Sequence, residues 1–342
     1  MHCRPVATAL TASYRASQLA GSMIVVFGSL NVDLVARVPV LPSAGETVLG
    51  PDYVTVPGGK GANQALAARR AGAEVVMVGA VGRDGFAEAA LAALAAAGVD
   101  ISRVARVEAP TGAAFIAVDP AGRNQIVVAA GANARASAAA LDDLEAGKGD
   151  ILMLQWEVPG AEILAAAQWA KARELTVVLN RAPAGPVPAE LMALVDVVIV
   201  NEHEILALAE GLGMAAVDAE AIACEIDRRL GVTAIVTLGA AGALAWGGGV
   251  RCPVPALKVD VVDTTAAGDA FCGAFAAALA QGRGLTSAVE HGSAAGSLAC
   301  TGFGAQPSLP ARGAIEQGAA QLATRDIPLI PKVAPEPGPK ET

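Results

Sequence analysis

The chain has 342 residues, a formal net charge of −9, 54% apolar residues and only 3% aromatic ones. That size and apolar content suit one large α/β domain, or one domain with a small appendage. An acidic balance without a dense Lys/Arg run argues against nucleic acid or a membrane surface as partner, and no apolar stretch reaches the ~18 residues of a membrane span. The five cysteines (Cys3, Cys224, Cys252, Cys272, Cys300) are scattered, without C-x-x-C spacing. Free thiols in a reducing cytoplasm are the expectation. His2, His203 and His291 are too few and too separated for a zinc site.

In chain order, residues 1–22 hold Arg4, Arg15, several Ser and Thr and no acid. This is either a targeting segment or an upstream start, because the β pattern opens at Met23. The segment is left out of the expected domain, which spans about 23–325. Met23 to Leu30 reads as a buried strand ending in Gly28-Ser29. Asn31 and Asp33 follow, two short polar side chains where open α/β sheets bind ligands; ordinary turn chemistry explains them equally well. Residues 34–56 change character, with Pro39 and Pro42 among short β segments at Val35–Val40, Gly45–Val48 and Tyr53–Val56. Residues 111–130 repeat that character as a hairpin, Ala114–Val118 and Gln125–Val128 around Asp119-Pro120-Ala121-Gly122. Together these insertions predict a small β-sheet projecting from the body: a lid over a ligand, or a surface for another subunit.

Pro57 to Gln64 is a glycine-rich loop opening a helix to about Arg70. It is not a Walker A loop, since Gly follows Lys60. Its glycines permit close approach to a ligand that Lys60 and Asn63 could both reach; an exposed Lys on a plain loop is the alternative. Strand and helix then alternate. Strands are expected at Glu74–Ala80, Ile151–Gln155, Leu175–Leu179, Val195–Val200 and Val232–Thr237, and helices at Gly85–Ala97, Ala161–Arg173, Ser287–Thr301 and Ala311–Leu322. This pattern predicts a doubly wound, mostly parallel sheet flanked by helices. Asn31, Asp33, Glu157, Asn180 and Asn201 stand at strand C-termini, which share one edge in such a sheet. The proline-rich tail, 326–342, is expected to be disordered.

Val262-Asp263-Thr264-Thr265-Ala266-Ala267-Gly268-Asp269 turns from a β-leaning run into the helix Ala270–Ala280. Small residues there let an anion approach the unpaired N–H groups of a helix N-terminus. Asp269 adds a proton acceptor, which phosphoryl transfer to a hydroxyl needs. A plain N-cap aspartate is the bland alternative.

Gly58 to Gln64 and Asp263 to Asp269, in this order, resemble the two signatures of the ribokinase family of carbohydrate kinases. Gly28-Ser29-Leu30-Asn31-Val32-Asp33, Asn201-Glu202-His203-Glu204 and Gly304-Ala305-Gln306-Pro307-Ser308 support the resemblance, which covers about Met23 to Leu322. It implies a ribokinase-like fold and ATP-dependent phosphorylation of a sugar, D-ribose at O5. Asp269 would be the base, and Ala266, Ala267 and Gly268 the anion hole. Asn31, Asp33, Gly59, Lys60, Asn63 and Glu157 would hold the sugar. Asn201, Thr237, Gly239, Gly242, Gly268 and His291 would contact ATP. Glu204 would place Mg²⁺ through water. Asp263, Thr265, Ala299, Gly302, Gly304 and Ser308 would bind an activating K⁺. A homodimer through the β lid is also implied. Arg181, Trp156 and Gly302 depart from the family pattern without removing a catalytic group. The competing readings are a kinase acting on fructose, a ketodeoxy sugar acid or a nucleoside, and a non-catalytic sugar-binding protein. A nicotinamide dehydrogenase is disfavoured, because the first strand does not lead into G-x-G-x-x-G.

Overall fold

The computed structural model describes residues 22–185, 187–214 and 218–323. The expected leader and tail therefore fall outside the described residues, apart from Ser22. Thirteen strands form two sheets among the described residues. The large sheet has the order β13-β12-β11-β10-β9-β8-β1-β4-β5. Its parallel part comprises β1 (Met23–Phe27), β4 (Glu74–Val81), β5 (Asp100–Arg106), β8 (Ile151–Leu154), β9 (Thr176–Asn180), β10 (Val197–Asn201) and β11 (Thr233–Thr237). An antiparallel hairpin, β12 (Ala243–Gly247) and β13 (Val250–Val254), finishes one edge.

β1 shows why this sequence makes a two-faced sheet. Successive side chains of a strand point to opposite faces. Ile24 and Val26 join one buried cluster, Val25 and Phe27 the other. The first cluster is covered by α1 (Lys60–Arg70), α2 (Gly85–Ala97), α7 (Ala267–Ala280), α8 (Leu285–Ala299) and α10 (Arg312–Ala323). The second is covered by α3 (Gly160–Lys171), the short α4 (Ala189–Met192), α5 (Glu202–Gly211) and α6 (Ala219–Leu230). α9 (Ala305–Ser308) is a single turn. No helix among the described residues is long and apolar enough to cross a membrane.

The second sheet has the order β3-β2-β6-β7, from β2 (Asn31–Arg37), β3 (Tyr53–Gly58), β6 (Gly112–Val118) and β7 (Asn124–Ala129). It forms from the two predicted insertions. Asn31 and Asp33 lie on β2, the first strand of this sheet in the chain, so a lid strand carries them rather than a turn.

Three differences from the sequence reading have physical causes. Gly45–Val48 is not a strand: Ser43 and Glu46 bond reciprocally across a tight turn, and Gly45 takes φ 81°. β5 escapes a hydrophobic search because Asp100, Arg103 and Arg106 give this edge strand a charged surface. The β12–β13 hairpin turns at Gly248-Gly249, whose amides donate to Asp227 at 2.9 and 2.8 Å.

Candidate active site

The carboxyl ends of β1, β8, β9, β10 and β11, the start of α1 and the start of α7 meet beneath the lid sheet. α7 begins abruptly. Ala266 has φ 60°, a left-handed backbone rarely adopted by a residue with a side chain. This turn aims the first amides of α7 into an open pocket. No group among the described residues accepts from the amides of Gly268 and Asp269. They are free to receive an anion at the positive end of the helix dipole. The pocket is lined by Lys60, Asn180, Asn201, Glu204, Thr237 and Thr264, together with Ala266 to Asp269.

Asp269 is buried in the pocket floor. Asn63 Nδ2 donates to its Oδ2 at 2.9 Å, and Gln64 Nε2 to its Oδ1 at 3.0 Å. Burial pushes its carboxyl above the usual range, against the Lys60 charge and these two hydrogen bonds. Burial also works against the Lys60 ammonium, but Asp269, Glu157 and Glu204 outweigh it and hold that pKa above normal. Lys60 is therefore a cation at neutral pH, among three carboxylates.

The sugar-holding candidates converge on the lid side of Asp269. Ser29 Oγ donates to Glu157 Oε2 at 2.6 Å, and the Lys60 amide donates to the same oxygen at 3.2 Å. Glu157 is thus held by the loop after β1 and by the first turn of α1. Burial, together with the Glu157 and Asp269 charges, pushes Asp33 up to about 6. Gly58 makes room for it, since a Cβ there would lie 2.4 Å from Asp33 Oδ2. Asn133 Nδ2 donates to Asn31 Oδ1 at 2.7 Å, and Asn133 Oδ1 accepts from the Leu30 amide at 2.9 Å. Gly59 takes φ 90° at the entry to α1.

On the opposite side Asn201 caps α5. Its Oδ1 accepts from the His203 and Glu204 amides at 3.0 and 2.8 Å, while Glu204 Oε2 accepts from the Asn201 amide at 2.8 Å. This capping box leaves Glu204 Oε1 for the pocket. Burial raises the Glu204 pKa, with the Asn201 hydrogen bond, Lys60 and Arg181 pulling the other way. His203 is an exposed helix residue.

Asp263 ties two loops together. Its Oδ1 accepts from Thr265 N and Oγ1 at 2.9 and 2.7 Å, and its Oδ2 from the Gly304 amide at 2.9 Å. Burial opposes its charge, but these hydrogen bonds prevail and its pKa is lowered. Gly302 donates to the Ala299 carbonyl at 3.3 Å, and a Cβ on Gly302 would lie 3.0 Å from Ser308 Cβ. Asp263, Thr265, Ala299, Gly302, Gly304 and Ser308 therefore form one cluster behind the α7 turn.

Some nucleotide candidates lie elsewhere. Thr237 lines the pocket; Gly239, Gly242 and His291 do not. Gly242 has a packing reason to be glycine, because a Cβ would lie 2.2 Å from the Val254 carbonyl oxygen. His291 is buried on α8 with Nδ1 2.6 Å from the Ser287 carbonyl oxygen. Burial lowers its pKa. The departures Trp156 and Arg181 are each other's partners. The fully buried Arg181 guanidinium stacks over the Trp156 ring at 4.6 Å and donates to the Pro183 carbonyl. Sequence reasoning missed Ser29, Gln64, Asn133 and Gln155 as site residues, and gave Asn180 no role. Each bonds to a partner about 30 to 130 positions away or lies between such partners, a separation no local spacing reveals.

Comparison with known proteins agrees with this layout. Ribokinase of Haemophilus influenzae is 38% identical over 293 residues, covering 84% of this chain and 95% of that protein. Ribokinase of Bacillus subtilis is 38% identical over 299 residues, covering 86% and 98%. Among solved structures, ribokinase from Thermotoga maritima superposes with a TM-score of 0.79 at 35% identity, covering 88% of this chain and all of that one. Arabidopsis thaliana ribokinase complexed with ribose and ATP gives 0.78 at 29% identity, covering 88% and 99%. The model of the pfkB family carbohydrate kinases matches residues 22–312. With the two signature loops meeting in one pocket under a β lid, the chain belongs to the pfkB family of carbohydrate kinases.

Proposed function

We propose that this carbohydrate kinase transfers the terminal phosphoryl group of ATP to O5 of D-ribose. One observation carries the reading. Asp269 sits at the first turn of α7, its two oxygens held by Asn63 and Gln64, and its own amide and that of Gly268 have no acceptor among the described residues. A proton acceptor and an anion receptor thus share one turn of helix, which transfer to an alcohol requires. The Haemophilus influenzae and Bacillus subtilis relatives are both ribokinases, and the Arabidopsis ribokinase is complexed with ribose and ATP. The polar set around Asp33, Asn31, Asn63 and Glu157 suits a small neutral polyol.

In this reading Asn31, Asp33, Gly59, Lys60, Asn63 and Glu157 orient the sugar, and Asp269 takes the hydroxyl proton as the new P–O bond forms. The amides of Gly268 and Asp269, presented by the left-handed Ala266, receive the charge on the moving phosphoryl oxygens, whereas the Ala267 amide of the expected anion hole already donates to the Thr264 carbonyl at 3.2 Å. Lys60 offsets charge where Asp269 and the phosphates approach. Asn201 and Thr237 line the pocket where the phosphates would sit, and Gly239, Gly242 and His291, which lie outside that pocket, would follow the rest of the nucleotide. Glu204 fits a Mg²⁺ that keeps several waters, since one carboxylate oxygen remains free in the pocket. Mg²⁺ bound with ATP would neutralise phosphate charge. The Asp263 cluster ties the Thr265 and Gly304 loops together, and a K⁺ held there would stiffen the α7 turn. A cytoplasmic location and a dimer through the lid belong to the same proposal.

Release of ADP with D-ribose, with and without K⁺, is the direct test. A panel adding fructose, 2-deoxyribose and a nucleoside would overturn the ribose assignment if one of these were turned over much faster. Asp269→Asn should keep sugar binding and lower kcat by about 10²–10⁴-fold. Turnover at the wild-type rate in that variant would sink the assignment of the base.

A further inference from the structure

Asp269 is the end of a buried chain of amides. The chain starts at the main-chain carbonyl of Ile199, which can only accept. It takes a hydrogen from Asn180 Nδ2 at 3.1 Å, so Asn180 Oδ1 must face Gln64. Gln64 must then present Nε2, whose two hydrogens go to Asn180 Oδ1 at 2.9 Å and to Asp269 Oδ1 at 3.0 Å. Gln64 Oε1 turns away and accepts from Gln155 Nε2 at 2.9 Å. A side-chain amide can sit either way round in space, and its neighbours decide which. Here a backbone carbonyl decides, and the choice passes through two amides to a carboxylate.

Gln64 and Gln155 are fully buried, and a special provision admits Gln155. A Cβ on Gly28 would lie 1.9 Å from Gln155 Oε1. The torsion that turns an aspartate carboxylate is broad and soft. Asn63 holds only Oδ2, so it alone would let the carboxylate swing. A donor at Oδ1 removes that freedom. Gln64 supplies it from the residue next to Asn63, on the same helix.

We propose that Gln64, oriented by Asn180 and Gln155, is a positioning residue that fixes the carboxylate plane of Asp269 toward the sugar hydroxyl. This rests on the reading of Asp269 as the base. Gln64 itself reaches neither sugar nor nucleotide in that reading; it acts through Asp269. The charged and titratable groups around Asp269 are Lys60 on α1, Glu157 after β8, Asp33 on β2, Glu204 on α5 and Cys272 on α7. None of these changes when Gln64 is replaced. Removing its donor leaves burial less opposed at Asp269, so the acid limb of kcat/KM moves to higher pH.

The test is Gln64→Met, which keeps the length of the side chain and removes its hydrogen bonds. The expected result is a folded protein with kcat lower by about 10- to 100-fold. The sugar KM should stay within about threefold, and the acid limb should move up. Wild-type kcat with an unmoved acid limb would overturn the proposal, as would a loss of activity that merely tracks unfolded protein. If Gln64→Met does not fold, Gln155→Leu leaves Gln64 in place without its orienting donor. It should show the same split between kcat and KM at smaller size, and wild-type kinetics there overturn the proposal. Asp269→Asn separates the two ideas. An active Asp269→Asn defeats the base itself, whereas an inactive one beside a wild-type-like Gln64→Met defeats only the positioning role.

Discussion

Asp33 feels the charges of two other carboxylates, Glu157 and Asp269, and in the proposed reading this sets a pH limit on sugar binding. Burial, then Glu157 and Asp269, push it up to about 6. Its ionised form accepts from two hydroxyls, whereas the protonated form gives up one acceptor. We therefore predict that kcat/KM for the sugar falls as pH drops through about 6. In Asp33→Asn the sugar-dependent part of that fall should disappear while the limb of Asp269 remains. An identical acid limb in both proteins would refute the assignment. Stability runs the other way for this group. Its folded pKa exceeds the unfolded value, so its contribution is full below that unfolded value and is lost as pH rises through about 6. At this scale the sequence was legible wherever a short motif carries the chemistry, as for Lys60, Asn63 and Asp269. It was silent on Gln64, Gln155 and Asn133, because an amide's partner depends on what the fold brings opposite it.

Helices α1 and α7 touch almost backbone to backbone. A Cβ on Gly273 would lie 2.5 Å from Ala67 Cβ and 2.7 Å from both the Ala68 nitrogen and the Gln64 carbonyl oxygen. The low aromatic content and the many alanines thus have a use: they let the helix of Asp269 lie directly against the helix of Lys60, Asn63 and Gln64. Gly273→Ala sets two effects against each other. Helix propensity favours alanine by about 1 kcal/mol, but overpacking against fixed backbone costs about 1–3 kcal/mol. We expect the second to prevail, with a lower melting temperature and a lower kcat, because the shift separates Gln64 from Asp269. Ala67→Gly in the same protein should restore part of both, since it removes the nearest atom. A melting temperature at or above wild type for Gly273→Ala would show that the helices yield freely. The elements themselves were readable where period and composition agree, as in β1, β4, α2 and α7. The charged edge strand β5 and the late β12–β13 hairpin lacked that agreement.

For the whole molecule the lid sheet presents a face turned away from Asp33. Register pairs place Leu34, Phe115 and Val127 in one row across the lid sheet, on the face opposite Asp33. Phe115 and Val127 are apolar yet 51% and 67% exposed. A second copy covering this face would account for it. Light scattering should then give a dimer, and Phe115→Asp with Val127→Asp should give a monomer. A wild-type protein that is monomeric at working concentration would remove the proposal. The lid's two segments were legible as β insertions without helices; which of its faces meets the sugar was not, because that follows from pairing register and not from composition.

The glycines around the pocket carry a further consequence. Gly28 leaves a hollow shaped for Gln155, Gly58 one for Asp33, and Gly112 one for Asn31 and Asn133, whose side-chain atoms would lie 2.2 Å from its missing Cβ. These hollows are moulds for someone else's side chain. A methyl group added to any of them displaces a polar group far away in sequence. These positions are therefore paired: Gln155, Asp33, Asn31 and Asn133 fit only while a distant position stays empty, and a change at the empty position reads, in activity, as the loss of the residue it was keeping room for.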